Sequence, residues 1–194
     1  MFEKLGEDIE MLLDRKKTCV IIFNMQLEMI PLLENSVVLL NNCIWLADFS
    51  NTLNIPVVIL EHKKLGNMPE QLTNVSINAK FFEKEFFDCT LESNIKKYLL
   101  ETGAENFVFA GAETHVCLFQ SAVGLHTLGK KVYILGDTAS ARNIYDHNLA
   151  IKRFNLLNFE VISQEMFFFE MIRNSEISEY HGLAMKFLDG RYIR

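Results

Sequence analysis

The sequence predicts one α/β domain in which a mainly parallel sheet is covered by helices on both faces. Short apolar runs rich in β-branched residues alternate along the chain with longer runs of helical spacing. Such alternation favours parallel strands joined by right-handed crossovers. The strand runs are apolar throughout, which indicates that both faces of the sheet are buried. The length of 194 residues suits a single domain, assigned to residues 1–194.

The pattern predicts five strands separated by helices. Pro56 opens the second strand, at a position that tolerates proline, and Gly129 ends the helix that begins at Cys117. The predicted strands are TCVIIFN (18–24), PVVILEH (56–62), NFVFAG (106–111), KVYILGD (131–137) and FEVIS (159–163). The predicted helices cover 36–53, 91–100, 117–128, 146–157, 164–173 and 176–188.

Composition and charge limit the classes of partner. Hydrophobic residues make up 49% and charged residues 23% of the chain, as in ordinary globular proteins. The net charge of −6 and the absence of a basic patch argue against nucleic acid. The acidic start at 1–17 lacks the features of a secretory signal, and no apolar stretch is long enough to span a membrane. Composition and charge therefore predict neither a nucleic-acid partner nor a membrane partner.

The four cysteines have no paired spacing. They lie at Cys19, Cys43, Cys89 and Cys117. This scatter fits neither a disulfide framework nor a zinc site, and it predicts a reducing, cytoplasmic location.

Cys117 lies where a predicted strand passes into a helix. In parallel α/β sheets the ligand binds beyond the carboxyl ends of the strands, and this edge includes 24–26, 61–62, 111–117 and 136–137. A helix start favours a thiolate, and its free N–H groups can hold an oxyanion. The plain alternative is that Cys117 is a small buried hydrophobe. The position of Cys117 favours its interpretation as a nucleophile. Cys89, at another predicted helix start, is the weaker candidate for that role.

The motif GAETHVC (111–117), followed by LGKKVYILGDTASAR (128–142), resembles the nucleophile region of the isochorismatase-like cysteine hydrolases. That superfamily includes nicotinamidases and N-carbamoylsarcosine amidohydrolases. The resemblance extends from about residue 18 to about residue 169. It implies a three-layer Rossmann-like fold and hydrolysis of a small amide-like or ester-like substrate.

The resemblance also assigns residues. It places the nucleophile on Cys117, the catalytic lysine on Lys84 in FFEKEFFDC, and the family glutamine on Gln26. It implies a cis peptide at Ala112–Glu113 that would let the N–H groups of Glu113 and Cys117 form the oxyanion hole. The catalytic acid should end the first strand, but IIFNMQ has Asn24 there.

Asn24 leaves the activity open, because a neutral amide cannot accept the thiol proton. One possibility is a hydrolase with another base, from Glu28, Glu113, His62 or His115. Another is an impaired enzyme or binding protein that keeps the pocket and a reactive thiol. A third is that Asn24 arose by mutation. Redox sensing by the thiol is a weaker alternative.

Lys84 has two interpretations. A lysine among charged residues is usually solvated, but aromatic neighbours could desolvate Lys84 or hold it against the thiolate. The predicted aromatic rim of the pocket is Phe81, Phe82 and Phe86.

The sequence predicts no metal and no cofactor, because His62 has no second histidine at metal-site spacing. The possible substrate-binding residues are Gln26, His62, Phe86 and Thr114. The segment MFFFEMI (166–172) is apolar nearly all round, which predicts a homo-oligomer with Phe167, Phe168 and Phe169 partly buried between subunits.

Overall fold

Six parallel strands form one sheet in the computed structural model, which describes residues 12–188. The strand order is β3-β2-β1-β4-β5-β6. The strands are β1 (Thr18–Phe23), β2 (Val57–His62), β3 (Lys80–Lys84), β4 (Asn106–Ala112), β5 (Lys131–Ser140) and β6 (Glu160–Ile162). The acidic start of the chain, up to residue 11, lies outside the described residues.

Seven helices flank this sheet in the described part of the chain. They are α1 (Ser36–Thr52), α2 (Glu70–Val75), α3 (Ser93–Glu101), α4 (Phe119–Thr127), α5 (Ile144–Leu156), α6 (Gln164–Ile172) and α7 (Tyr180–Phe187). A π-helical turn, Thr114–Leu118, joins β4 to α4. Within the described chain, no helix combines the length and the apolar character that crossing a membrane requires.

Two hydrophobic cores lie on opposite faces of the sheet. Successive side chains of a strand point to opposite faces, so Val20 and Ile22 of β1 enter one core while Ile21 and Phe23 enter the other. The first core is completed by α1, α6 and α7, and the second by α3, α4 and α5. The predicted three-layer α/β fold, with helices on both faces, is confirmed.

The strand β3 was missed by the sequence prediction, which assigned no helix or strand between residues 62 and 91. Among residues 12–188 it is an edge strand that pairs only with β2, and most of its side chains are at least partly exposed. Edge strands carry polar and charged residues, so they lack the apolar pattern of central strands. The short helix α2 was missed as well, and the last helix begins at Tyr180 rather than at residue 176.

The two central strands are in tight contact at Gly111, near the carboxyl end of β4. A Cβ atom on Gly111 would lie 2.2 Å from the backbone oxygen of Phe23, and Gly111 has a φ of +100°. Only glycine fits at this position. From β1 the chain first adds strands on one side, β2 and β3, and then on the other side, β4 to β6. The ligand-binding crevice is therefore expected beyond the carboxyl ends of β1 and β4.

Candidate active site

Cys117 lies in the π-helical turn that follows β4. Its side chain is only 4% exposed. The N–H groups of Val116 and Leu118 both donate to the backbone oxygen of Glu113, at 3.1 and 3.3 Å. The turn therefore winds around that one oxygen and fixes the position of the sulfur. The Ala112–Glu113 peptide that precedes it is cis, as the resemblance implies.

Lys84 is the last residue of β3 and is fully buried. Its Nζ atom lies 3.2 Å from Cys117 Sγ and donates to the backbone oxygen of Phe86, also at 3.2 Å. The interpretation of Lys84 as a solvated loop lysine is therefore wrong. The side chains of Lys84 and Cys117 are therefore in direct contact inside the protein.

Asn24 directly follows β1 and has a left-handed backbone with a φ of 49°. Its N–H donates to the backbone oxygen of Leu60, at 2.8 Å. Its side-chain Nδ2 donates to Ala112 O at 2.7 Å and to Cys117 Sγ at 3.1 Å. The Oδ1 atom is buried and has no hydrogen-bond partner within the described chain. Asn24 thus presents a donor, rather than a proton acceptor, to the sulfur.

A cavity of about 240 Å³ opens at Cys117. This volume suits a small substrate. The residues that line it are Asn24, Met29, Leu32, His62, Leu65, Phe87, Glu113, Val116, Cys117 and Arg142. The aromatic wall is Phe87, whose ring stacks on His62 with a centroid separation of 6.2 Å.

The predicted rim of Phe81, Phe82 and Phe86 does not line this cavity. Phe86 is 51% exposed and contributes only its backbone oxygen, to Lys84. Phe82 packs against Tyr98 instead. The sequence FFEKEFFDC has a Phe-Phe pair on each side of Lys84. The pattern alone therefore could not show that Phe87 is the phenylalanine that lines the cavity. Arg142 ends the block LGKKVYILGDTASAR that carries the family resemblance, but a loop arginine is usually solvated, so the sequence analysis gave it no role.

Of the other possible substrate-binding residues, His62 lines the cavity, whereas Gln26 and Thr114 do not. The side chain of Gln26 binds backbone atoms: Nε2 donates to His62 O and Gly66 O, at 2.9 and 2.6 Å, and Oε1 accepts from His62 N at 2.7 Å. Gln26 therefore fixes the end of β2 and the loop beyond it.

Thr114 connects the nucleophile turn to its neighbours. Its hydroxyl donates to Ser140 O at 2.9 Å and lies 2.9 Å from His147 Nδ1. Because the hydroxyl proton is used by Ser140, the imidazole Nδ1–H is the donor in the second contact. Burial lowers the pKa of His147, which is consistent with a neutral ring there.

The candidate bases occupy different places. Glu113 is 6% exposed, and its Oε2 accepts from the backbone N and the Nε of Arg142, at 3.0 and 2.9 Å. This contact raises the pKa of Arg142. Glu28 is exposed and outside the cavity, and His115 lines a separate cavity beside α5. Of the four candidate bases, His62 and Glu113 line the cavity at Cys117.

The other three cysteines are free and buried in apolar surroundings. Burial raises the pKa of Cys19 and of Cys89 to about 12, and it raises the pKa of Cys43 as well. The backbone N–H of Cys89 is bonded to Ser121 Oγ at 3.0 Å. These thiols are therefore protonated at neutral pH. Among the described residues, no three His, Cys, Asp or Glu side chains are grouped to hold a metal ion.

Comparison with known proteins identifies the family. The model of the isochorismatase domain matches residues 18–166, which is most of the chain. The protein therefore belongs to the isochorismatase family, and the resemblance inferred from GAETHVC is confirmed.

Relatives and solved structures agree with this assignment. The chain is 28% identical over 142 residues to isochorismatase family protein 1B of Dictyostelium discoideum, covering 69% of this chain and 68% of that protein. The MAR1 ribonuclease of Caenorhabditis elegans superimposes with a TM-score of 0.84 at 19% identity, over 91% of this chain and 92% of the other. The YcaC gene product of Escherichia coli, an octameric hydrolase of unknown specificity, gives 0.80 at 18%, over 90% and 95%. At these identities the structures establish the shared fold.

Proposed function

We propose that the protein is a cysteine-dependent hydrolase of small amide-like or ester-like substrates, with Cys117 as the nucleophile. The observation that carries this proposal is the environment of Cys117 Sγ, which has Lys84 Nζ at 3.2 Å and Asn24 Nδ2 at 3.1 Å. One cation and one neutral donor stabilise a thiolate, which is the reactive form of cysteine. The sulfur also lines a cavity of substrate size.

In the proposed reaction the thiolate attacks the substrate carbonyl carbon, and the carbonyl oxygen becomes an oxyanion. The N–H groups of Glu113 and Cys117 stabilise that oxyanion, because donors at the start of a helical turn are aimed in a common direction. The leaving amine or alcohol takes a proton from the Lys84 ammonium as the carbon–heteroatom bond breaks. The product of this half-reaction is a thioester on Cys117 and a neutral lysine. No step requires a metal or a cofactor.

Asn24 supports a second candidate, a catalytically impaired protein that binds or traps its ligand. The specific observation is that Asn24 donates to Cys117 Sγ and offers no group that can take a proton from water. Such a site would be acylated and then remain acylated. The two candidates differ only in whether the thioester is hydrolysed.

Four further properties of the protein belong to this proposal: its substrate size, its partners, its location and its oligomeric state. A small substrate fits the 240 Å³ cavity, and the net charge of −6 disfavours nucleic acid. Four free cysteines are suited to the reducing cytoplasm. The octameric YcaC supports a homo-oligomer here as well.

The proposal is tested by steady-state hydrolysis of a panel of small amides and esters. Wild-type protein should release acid from at least one member of the panel, and Cys117→Ser should abolish this release. Cys89→Ala is the matched control, because Cys89 is a buried cysteine outside the cavity, and it should retain activity. Hydrolysis that survives in Cys117→Ser and is lost in Cys89→Ala would overturn the assignment.

A further inference from the structure

The proposed cycle has so far assigned no residue to activate the water that attacks the thioester. We propose that His62 fills this role and accepts the proton of the water that attacks the thioester on Cys117. This inference rests on the proposed function and extends it to the second half-reaction. It assigns to a histidine the task for which Asn24 is unsuited.

The groups that line the cavity leave one candidate for this task. The titratable residues among them are His62, Glu113, Cys117 and Arg142. The sulfur carries the acyl group at this stage, and an arginine cannot act as a base at neutral pH. Glu113 accepts two hydrogen bonds from Arg142 and is held in an ion pair. Lys84 leaves the first half-reaction as a neutral amine, but it is fully buried and does not line the cavity where the water binds. Among the lining residues, His62 is the remaining proton acceptor.

The imidazole of His62 is held in place and has an unused nitrogen. His62 Nδ1 is buried and has no hydrogen-bond partner within the described chain. A buried polar atom without a partner is costly unless a ligand or water supplies one. The stack on Phe87, with an interplanar angle of 26°, limits rotation of the ring. Gln26 holds the backbone of His62 on both its N–H and its carbonyl side.

The protonation state of His62 also suits a base. Burial lowers the pKa of His62 below its ordinary value of 6.5, and in the resting protein the Lys84 and Lys64 ammonium groups lower it further. Glu85 acts in the opposite direction and is outweighed. The ring is therefore neutral at pH 7, so one of its nitrogens can accept a proton. A histidine that was already charged could not serve as the base.

Atoms and protons balance over the second half-reaction. The water oxygen bonds to the thioester carbon while His62 takes one of its protons. The carbon–sulfur bond then breaks, and the thiolate leaves into the field of Lys84 and Asn24. The released carboxylic acid gives its proton to the neutral lysine, and the imidazolium of His62 loses its proton to solvent. The net reaction is hydrolysis, with the resting ion pair restored.

The test uses p-nitrophenyl acetate and separates acylation from deacylation. Release of p-nitrophenolate in the first turnover measures acylation, and loss of the acetyl adduct from Cys117, followed by mass spectrometry, measures deacylation. His62→Gln should slow deacylation roughly 100-fold, the usual contribution of a general base. It should therefore accumulate adduct. His181→Gln, an exposed histidine on α7, is the matched control and should leave deacylation unchanged.

Two readouts distinguish a base from a merely structural residue. In wild type the deacylation rate should rise with pH through a midpoint below 6.5 and then level off, because only the neutral ring is active. This rise should be absent in His62→Gln. In His62→Ala, added imidazole should restore part of the deacylation rate.

The contradicting results are distinct for each claim. An acetyl adduct that clears at the same rate and with the same pH profile in wild type and in His62→Gln would overturn the assignment of His62 alone. Failure of imidazole to rescue a folded His62→Ala would do the same. Absence of an adduct on Cys117 in both wild type and His62→Gln, together with release of p-nitrophenolate that is unchanged in Cys117→Ser, would overturn the proposed function itself.

Discussion

The side-chain amide of Asn24 donates a hydrogen bond to Cys117 Sγ across 3.1 Å, at the position where the family resemblance places a catalytic acid. The two residues follow different strands, β1 and β4, whose ends are brought together by the close approach at Gly111. This contact makes the site rich in donors and poor in proton acceptors. Changes that alter this balance should therefore alter both turnover and the reactivity of the thiol.

Asn24→Asp should increase hydrolytic turnover while it slows alkylation of Cys117. The new carboxylate is nearly isosteric with the amide and can accept a proton, which favours turnover. It also repels the thiolate, which disfavours simple alkylation. Lys84 contacts the same sulfur atom as Asn24, so we expect its ammonium group to pair with the carboxylate and the fold to be retained. The measurements are steady-state hydrolysis and the rate of reaction with iodoacetamide, for both proteins.

Asn54→Asp provides the control for this change. Asn54 is exposed and has nearly the same left-handed backbone, with a φ of 55°, but lies away from the site. It should change neither rate. If neither rate changes in folded Asn24→Asp, then Asn24 does not act on Cys117.

Combining Asn24→Asp with His62→Gln tests how the two residues share one task. The carboxylate should take over proton acceptance, so loss of His62 should slow deacylation much less in the Asn24→Asp background than in wild type. Equal slowing in both backgrounds would show that the two residues act independently. Deacylation is followed as loss of the acetyl adduct.

Lys84→Ala should move the alkylation of Cys117 to higher pH. The ammonium at 3.2 Å favours the thiolate, so labelling with iodoacetamide at neutral pH should fall roughly tenfold without it. Lys80→Ala is the matched control, since Lys80 is the exposed residue at the other end of β3. Indistinguishable pH profiles for the two variants would contradict the ion pair.

Much of this site was predictable because the nucleophile follows a central strand. The runs that became β1 and β4 are apolar throughout and are buried on both faces, so their ends could be located, and with them Asn24 and Cys117. Lys84 was identified as a site residue by family resemblance, whereas its strand was not predicted. An edge strand with the sequence KFFEK has no clear apolar pattern.

Other features depend on tertiary contacts that no local pattern contains. Gln26 binds the backbone of His62 and Gly66, which lie 36 and 40 residues further along the sequence. The prediction that Phe167 and Phe168 lie between subunits is wrong. Both rings are fully buried within one chain, where they pack on Phe49, and only Phe169 is exposed, at 41%. A helix that is apolar on all sides can be buried within its own chain when a second helix packs over it.

Gln26→Met should destabilise the protein, because it removes three hydrogen bonds, among them those to the N–H of His62 and to the carbonyl of Gly66. The expected loss is about 1–3 kcal/mol in the free energy of unfolding. Denaturant titration measures it, with Gln120→Met, on the exposed face of α4, as the control. A loss no greater than that of the control would contradict the role given to Gln26.

The protein should form a homo-oligomer. The apolar residues that remain exposed on α6, Met166 and Phe169, fit a contact with a second copy. Light scattering at micromolar concentration should give a multiple of the 22.4 kDa chain mass, and Phe169→Glu should lower it. A monomer mass for the unmodified protein would contradict this prediction.

The most direct test of the central claim is a time course of covalent adducts on Cys117. Wild-type protein is mixed with a small excess of p-nitrophenyl acetate, and its four cysteines are mapped by peptide mass spectrometry. The account predicts an acetyl group that appears on Cys117 before any other cysteine and then disappears as acetate is released. An adduct that forms and never clears would instead identify a trapping protein. Acetylation of Cys89 in place of Cys117, or no thioester at all, would contradict the account.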